Sequence, residues 1–193
     1  MKRNGFTLIE LLVVLSIVGG IAAILIPVFN RGPANARRAS CQSNLKSIAL
    51  GVAQYLQDSN DKFPPVSVAR SGYWAGSLQP YIKYSQIFQC PEIPGRKTKT
   101  TDYFYNARLA AVEKQTMSAA SQTVLLGDGS DDSPYNYALS ELPAKWLQNE
   151  KSPARRHLDG ANYAFADGHV KYLNPQKIKA GAPANDIFTF AVR

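Results

Sequence analysis

The sequence is poor in the side chains that most often carry catalysis or bind metals. Among 193 residues there are only two histidines and two cysteines. Because a zinc site needs about four converging ligands, two histidines are a thin set for a metal. No Ser-His-Asp or Cys-His combination has a supporting motif of the kind expected in a hydrolase. We therefore predict that the protein is not an enzyme and has no metal and no cofactor.

Acidic side chains are fewer than basic ones. The chain has 14 acidic and 22 basic residues, a net charge of +8, which falls to +6 without Lys2 and Arg3. This balance is compatible with binding nucleic acid or anionic lipid. The sequence lacks the interleaved aromatic and basic residues of a nucleic-acid groove. We expect a solvated basic surface and no specific nucleic-acid partner.

Charged residues are absent from Leu11 to Phe29. At about 1.5 Å per residue, such a helix spans about 28 Å, close to the thickness of a bilayer core. No Ala-x-Ala type of cleavage site closes the run, so it is expected to stay attached. Lys2 and Arg3 favour a cytoplasmic amino terminus, whereas three arginines beyond the run weaken that argument. Just before the run stands Glu10, whose carboxylate costs roughly 2.5–3.5 kcal/mol near hydrocarbon and therefore needs a partner.

This amino terminus resembles the processing site of type IV pilins and type II secretion pseudopilins. The residues that carry the resemblance are Gly5, Phe6, Thr7, Leu8, Ile9 and Glu10. The resemblance implies that prepilin peptidase cuts after Gly5 and methylates Phe6. It also implies that Glu10 neutralises the methylated amine of a neighbouring subunit. The implied function is a structural subunit of a type II secretion pseudopilus or a type IV pilus-like filament.

The order of segments predicts an α+β, pilin-like fold. It consists of a leader (1–5), a transmembrane helix (6–29), an amphipathic helix (30–60) and a periplasmic domain with a small antiparallel sheet (61–193). Apolar residues recur with helical spacing on one face of the amphipathic helix. They are Leu45, Ile48, Ala49, Val52 and Leu56. We expect a kink near Pro27, a break or bend at Gly32-Pro33, and a helix end at residues 58–61.

Residues 103–106 and 123–128 are predicted strands, because β-branched and aromatic residues dominate them. Residues 162–173 predict a hairpin around Asp167-Gly168, a typical two-residue turn. In this hairpin one face would combine side chains of both arms. These are Tyr163, Phe165, Val170 and Tyr172. Residues 186–190 predict a further short strand, and residues 96–100 an exposed loop.

Cys41 and Cys90 permit one disulfide in an exported domain, with two buried thiols as the alternative. Residues 36–48 and later short motifs resemble a branch of pilin-like proteins with a Cys-x-x-Asn-Leu-Lys run, and this resemblance supports the pairing. His157 followed by Asp167 and Gly168 resembles the prepilin-associated domain named for His-x(9)-Asp-Gly. That motif labels a branch and implies no mechanism.

Two alternatives remain open at this stage. The protein is either a filament subunit or an exported binding protein or enzyme on a pilin-type anchor, with its site near His157 and Asp167. For the first reading we expect Asp167 to form the turn and His157 to hydrogen-bond a neighbouring backbone group. Acidic residues 128, 131 and 132 favour an acidic turn, with calcium binding as the alternative. The expected partners are prepilin peptidase, other pilin-like subunits, the inner membrane and an assembly machinery.

Overall fold

The structure is a computed structural model that describes residues 5, 7–68, 72–95, 97, 99–179 and 188–192. The fold is α+β, with a long amino-terminal helix followed by a mixed sheet. The chain divides into two compact units, Met1–Ala36 and Arg37–Arg193.

Helix α1 runs from Leu8 to Asp58. Its segment Leu8–Ile26 has a mean hydropathy of 2.7 and is long and apolar enough to cross a membrane. The helix continues through Gly32-Pro33, so the predicted break there is wrong. A proline removes one backbone donor, and helices tolerate this loss where neighbouring groups adjust. The predicted bends at Pro27 and Gly32-Pro33 stay predictions.

The predicted apolar stripe of α1 is confirmed in the second unit. Its five residues are each 3% exposed or less: Leu45, Ile48, Ala49, Val52 and Leu56. The helix ends at Asp58, as predicted, and Asn60 and Asp61 have left-handed φ values of 52° and 57°. The division into residues 6–29, 30–60 and 61–193 stays a prediction, although the helix from Arg37 onward shares a compact unit with the sheet.

Nine strands lie in the described part of the chain, together with two short helices. The helices are α2 (Trp74–Ser77) and α3 (Ala144–Gln148). The strands are β1 (Ser67–Val68), β2 (Gly72–Tyr73), β3 (Thr100–Asn106), β4 (Val124–Pro134), β5 (Ala138–Leu139), β6 (Ala161–Phe165), β7 (Val170–Leu173), β8 (Ile178–Lys179) and β9 (Phe188–Thr189). The main sheet has the order β5-β3-β4-β6-β7, and the pairs β1-β2 and β8-β9 are separate.

The main sheet is mixed. Strand β5 pairs parallel with β3, whereas β3, β4, β6 and β7 pair antiparallel in sequence. The strands predicted at residues 103–106 and 123–128 are confirmed as parts of β3 and β4. Strand β4 continues to Pro134, but its pairing with β3 shifts between Asp128 and Ser133, and Asp132 has a left-handed φ of 50°; the acidic residues thus form a bulge within the strand in place of the predicted turn. Of the strand predicted at residues 186–190, the first two residues lie outside the described part, and β9 covers the next two.

The predicted hairpin of β6 and β7 is confirmed, but its turn differs from the prediction. The amide of Gly168 donates to the carbonyl of Phe165 (2.8 Å), and the amide of Phe165 donates to the carbonyl of His169 (2.9 Å). Gly168 has a φ of +90°. This is a three-residue loop in which a left-handed glycine follows a type I turn.

The longer loop shifts the register of the hairpin by one residue. Val170 pairs with Ala164 and Tyr172 pairs with Asn162, while Tyr163 lies opposite Lys171. Since neighbouring residues in a strand point to opposite faces, the prediction that Tyr163 shares a face with Tyr172 is wrong. A two-residue turn would have produced the predicted face.

Both faces of the sheet are covered by apolar side chains. Tyr103 and Tyr105 of β3 pack in a cluster with the buried stripe of α1. Phe104, between them, packs in a second cluster with Tyr163 and Phe190. This alternation places β3 in the interior of the fold, consistent with the complete burial of its central side chains.

Replacing Gly129 with alanine is expected to destabilise the fold, because there is no room for a side chain at this position. A Cβ atom at this position would lie 2.7 Å from the backbone nitrogen of Phe104 and 2.9 Å from the carbonyl carbon of Tyr103. Because these atoms belong to a paired strand, Gly129→Ala is expected to lower the free energy of unfolding by about 1–3 kcal/mol. Gly76→Ala is the control, since nothing lies within 4 Å of its added Cβ. Chemical denaturation of both variants measures the difference, and equal stabilities would contradict the packing described.

Candidate functional site

The amino-terminal end of α1 is closed by reciprocal hydrogen bonds between Thr7 and Glu10. The backbone amide and the hydroxyl of Thr7 donate to Glu10 Oε2 at 2.8 and 2.7 Å, and the amide of Glu10 donates to the Thr7 hydroxyl at 3.3 Å. This is a capping box, in which a Thr and a Glu three residues later satisfy amides that have no partner inside the helix. Glu10 therefore has a role within its own chain.

The capping box leaves half of the Glu10 carboxylate available. All three hydrogen bonds of the box involve Oε2 or the backbone amide, and none within the described residues involves Oε1. The side chain is exposed. Oε1 can therefore still accept a hydrogen bond from a cationic group of another molecule. Gly5 is exposed as well, while Phe6 lies outside the described residues.

A second group of functional residues lies in the carboxy-terminal unit, around a disulfide. Cys41 on α1 and Cys90 are joined with an S–S distance of 2.03 Å and a Cα–Cα distance of 5.1 Å. Both residues are buried. The bond connects the helix to the segment that precedes β3.

His157 packs directly against this disulfide. Its Nε2 lies 3.5 Å from Cys90 Sγ and 3.4 Å from Asp128 Oδ2, and its side chain is completely buried. The prediction that this side chain hydrogen-bonds a neighbouring backbone group is wrong, because it contacts a sulfur and a carboxylate instead. The backbone of His157 pairs with Gly160 and accepts a hydrogen bond from the hydroxyl of Tyr172.

Arg156 neutralises the carboxylates around His157. Its guanidinium is 6% exposed, forms an ion pair with Asp131, and lies 3.9 Å from Asp128 Oδ1. It also donates to the backbone carbonyls of Asp102 and Gly129. Removing Arg156 would leave the buried carboxylate of Asp128 uncompensated, which typically costs about 3–5 kcal/mol, whereas Asp131 is half exposed and depends less on this partner. The arrangement indicates that these residues hold β4 against the segment preceding β6.

Asp102 connects the same neighbourhood to the disulfide. Its Oδ2 accepts the amide of Cys90 at 2.8 Å and its Oδ1 accepts the amide of Asp132 at 2.9 Å. Burial raises the pKa of Asp102, and these two hydrogen bonds and Arg156 oppose the rise. The carboxylate thus orders the loop around Cys90.

The acidic residues of β4 do not converge on one point. Asp128 is buried beside His157, Asp131 pairs with Arg156, and Asp132 pairs with Lys97 at 2.9 Å. The three carboxylates face His157, Arg156 and Lys97, with Arg156 also near Asp128, whereas a calcium site needs six to eight oxygen ligands around one ion. The calcium alternative for these three residues therefore has no geometric support.

Asp167 and Gly168 form the turn, in agreement with the prediction, and they do so apart from the His157 cluster. Asp167 Oδ1 accepts the backbone amide of His169 and contacts its Nδ1 at 2.6 Å. These hydrogen bonds lower the pKa of Asp167, although partial burial acts in the opposite direction. The carbonyl of Gly168 accepts Lys46 Nζ of α1 at 2.7 Å. The turn is a structural feature that contacts the helix.

The capping box of Thr7 and Glu10 was not predicted, although the sequence contains a recognisable pattern for it. A Thr followed three residues later by Glu, before an apolar run, is typical of a capping box. The contacts of Asp128 with Arg156 and His157 had no such pattern, because they join a residue of β4 to a segment about 28 positions later.

Two family models match the chain. One is described as a prokaryotic N-terminal methylation motif and covers residues 1–26. The other is described as a protein of unknown function (DUF1559) and covers residues 33–90. The predicted pilin-like processing region is thereby confirmed, while the assignment to the His-x(9)-Asp-Gly branch stays a prediction.

The chain is also similar to named pilins. It is 37% identical over 67 residues to the type IV major fimbrial protein FimA of Dichelobacter nodosus, covering 35% of this chain and 42% of that protein. It is 43% identical over 59 residues to the type IV major pilin protein PilA of Myxococcus xanthus, covering 31% and 27%. Each match thus spans less than half of the relative. No solved structure matches the chain. The amino-terminal part is therefore pilin-like.

Proposed function

We propose that this protein is a structural subunit of a type IV pilus-like filament or a type II secretion pseudopilus. Prepilin peptidase removes residues 1–5 and methylates Phe6, and the apolar helix then anchors the chain. The observation that carries the proposal is the combination of the methylation motif with a continuous apolar helix whose first carboxylate is Glu10. Before assembly the subunit lies in the inner membrane with its amino terminus in the cytoplasm and its carboxy-terminal unit in the periplasm.

Glu10 supports this proposal through the geometry of its cap. Oε2 satisfies the helix end, and Oε1 is left to accept the methylated amine of a neighbouring subunit. A bare carboxylate in hydrocarbon is unfavourable, so charge neutralisation between subunits favours assembly. The remaining partners are other pilin-like subunits and the machinery that inserts them into the filament.

The alternative of a ligand-binding or catalytic protein on a pilin-type anchor is less well supported. His157 is completely buried between Asp128 and the disulfide, so a dissolved substrate cannot reach it without an opening of the fold. We infer that the protein is not an enzyme and that the His157 cluster stabilises the carboxy-terminal unit.

Blocking the cleavage after Gly5 tests the proposed function. Gly5→Val is expected to abolish the cut, because the added side chain occupies the residue that precedes the scissile bond. In a host with prepilin peptidase, intact-mass spectrometry should find the full-length variant and no methylated product.

Gly20→Val is the matched control. No atom lies within 4 Å of a Cβ at Gly20, so this variant should be processed like the wild type. A Gly5→Val chain that has the same mature mass as the wild type would refute the processing site.

A further inference from the structure

We propose that the reduced form of this protein contains a Zn²⁺ site built from Cys41, Cys90 and His157, beside the buried carboxylate of Asp128. The Sγ atoms of both cysteines and a ring nitrogen of His157 lie within 4.8 Å of one another, and all three residues are buried. Two thiolates and an imidazole form a donor set that suits Zn²⁺ among the common metals.

The distances in the oxidised structure already resemble those between the ligands of a metal. Ligands of a tetrahedral Zn²⁺, with bonds of about 2.0 Å to nitrogen or oxygen and about 2.3 Å to sulfur, lie about 3.3–3.8 Å apart, and a nitrogen and a sulfur lie about 3.5 Å apart. His157 Nε2 lies 3.5 Å from Cys90 Sγ and 3.4 Å from Asp128 Oδ2. His157 Nε2 therefore already has one cysteine sulfur at the separation that a shared ion requires, with the carboxylate of Asp128 beside it.

Unpartnered polar atoms provide a second, independent observation. Among the described residues, Asp128 Oδ1 and His157 Nδ1 are buried and have no hydrogen-bond partner, although the guanidinium of Arg156 lies 3.9 Å from Asp128 Oδ1. A buried acceptor without a partner costs about 1–3 kcal/mol, and more for a charged group. Asp128 Oδ2 is fixed by the amide of Asn162 at 2.7 Å, which keeps the carboxylate pointed at His157. A cation at this position would offset the cost of the buried carboxylate.

Reduction is the step that creates the site. The disulfide accepts two electrons and two protons from a dithiol reductant, the S–S bond breaks, and the reductant becomes a disulfide. Zn²⁺ then binds the two sulfurs and displaces their two protons. Opening the bond separates the sulfur atoms, which makes room for the ion between them and Nε2. Disulfide formation reverses these steps: an oxidant removes two electrons from the two thiolates, the S–S bond forms again and the Zn²⁺ ion is released.

This chemistry gives the newly exported and folded chain a way to hold its two thiols before they are oxidised. Cytosolic thiols are kept reduced, whereas exported domains form disulfides. With Zn²⁺ bound, Cys41 and Cys90 remain next to each other and unavailable to other thiols until oxidation. The proposal concerns the carboxy-terminal unit and does not depend on filament assembly.

The test compares the oxidised and reduced full-length protein in detergent. The chain is reduced with excess dithiol, freed of it by anaerobic gel filtration, and mixed with Zn²⁺ or with Co²⁺ as a coloured probe. We expect the reduced chain to bind a single equivalent of Zn²⁺ and to give the visible spectrum of tetrahedral, thiolate-bound Co²⁺. The oxidised chain should bind none, and reoxidation should release the metal. A reduced wild-type chain that binds no more Zn²⁺ than the oxidised chain would overturn the proposal.

Two histidine variants separate this site from metal capture by free thiols. His157→Gln should weaken Zn²⁺ binding by at least about 10–100-fold, the loss typical of removing even an outer-shell group. His169→Gln is the matched control, because the other histidine of the chain contacts Asp167 and should leave binding unchanged. Equal affinity of both variants would contradict the site. If His157→Gln loses its native circular dichroism, the comparison of oxidised and reduced wild type still decides.

Discussion

Replacing Glu10 with Gln is expected to prevent filament assembly while leaving the helix cap intact. Glutamine can take the place of glutamate in a capping box, so the bond to Thr7 survives, but the negative charge is lost. Glutamine leaves the methylated amine of the neighbouring subunit without a counter-charge in the filament, so subunit association should fall about a hundredfold or more. Electron microscopy and the sheared-filament fraction measure the loss.

Two further variants distinguish the role of the charge from that of the cap. Glu10→Ala removes both and should be no more assembly-competent than Glu10→Gln. Thr7→Val removes the hydroxyl that donates to Oε2 and keeps the charge, so filaments should still form. Membrane fractionation should show all three variants inserted. Normal filaments from Glu10→Gln would show that Glu10 acts only as part of the helix cap and would contradict the charge pairing between subunits.

Removing the disulfide is expected to have the largest effect on stability. Cys41 and Cys90 are separated by 49 positions in sequence. Closing a loop of this size stabilises the fold by about 4 kcal/mol in the chain-entropy model. The double variant Cys41→Ser/Cys90→Ser should therefore lose about 2–5 kcal/mol of unfolding free energy in urea. The fluorescence of Trp74, which is buried and stacked on Tyr105, reports unfolding.

Because the disulfide lies beside His157, we also expect the serine variant to keep the native fold. The hydroxyls of the serine variant lie next to His157 and can hydrogen-bond its Nε2, so Asp128 and Arg156 should keep their contacts. The variant should be less stable yet natively folded. A loss below about 1 kcal/mol would mean that the bond contributes little beyond the packing of α1 on the sheet.

The amino-terminal half of the fold could be predicted from sequence because its determinants are local. The apolar run and the spacing of Leu45, Val52 and Leu56 depend only on the period of a helix. Helix α1 ends at Asp58, just before two residues with left-handed φ. The continuation through Gly32-Pro33 was missed because a local proline rule does not determine whether a long helix can absorb one missing hydrogen bond.

The sheet could be predicted only in part, because register and strand length depend on distant residues. An Asp-Gly pair predicted the hairpin at Asp167-Gly168, but one extra loop residue moved Tyr163 to the opposite face. The polar stretch at the end of β4 looked like a turn by composition, but it forms a bulge between two paired parts of the strand and contacts Arg156. Long-range pairing of this kind overrides local propensity.

The candidate sites divide in the same way. Gly5 and Glu10 lie within a short motif, and their spacing in sequence is enough to identify the processing site. The neighbours of His157, in contrast, come from three distant segments. Nothing near His157 in sequence indicates that it contacts Asp128 and Cys90. The histidine motif therefore identified a residue but not its contacts.

The mass of the chain recovered from its own filaments tests the central proposal most directly. Filaments sheared from producing cells are dissolved, and the intact chain is analysed by mass spectrometry with fragmentation of its amino terminus. We predict a chain that begins at Phe6, carries one methyl group on its terminal amine, and keeps Cys41 and Cys90 oxidised. A chain that begins at Met1, or one that is found only in the membrane and never in filaments, would contradict the proposed function.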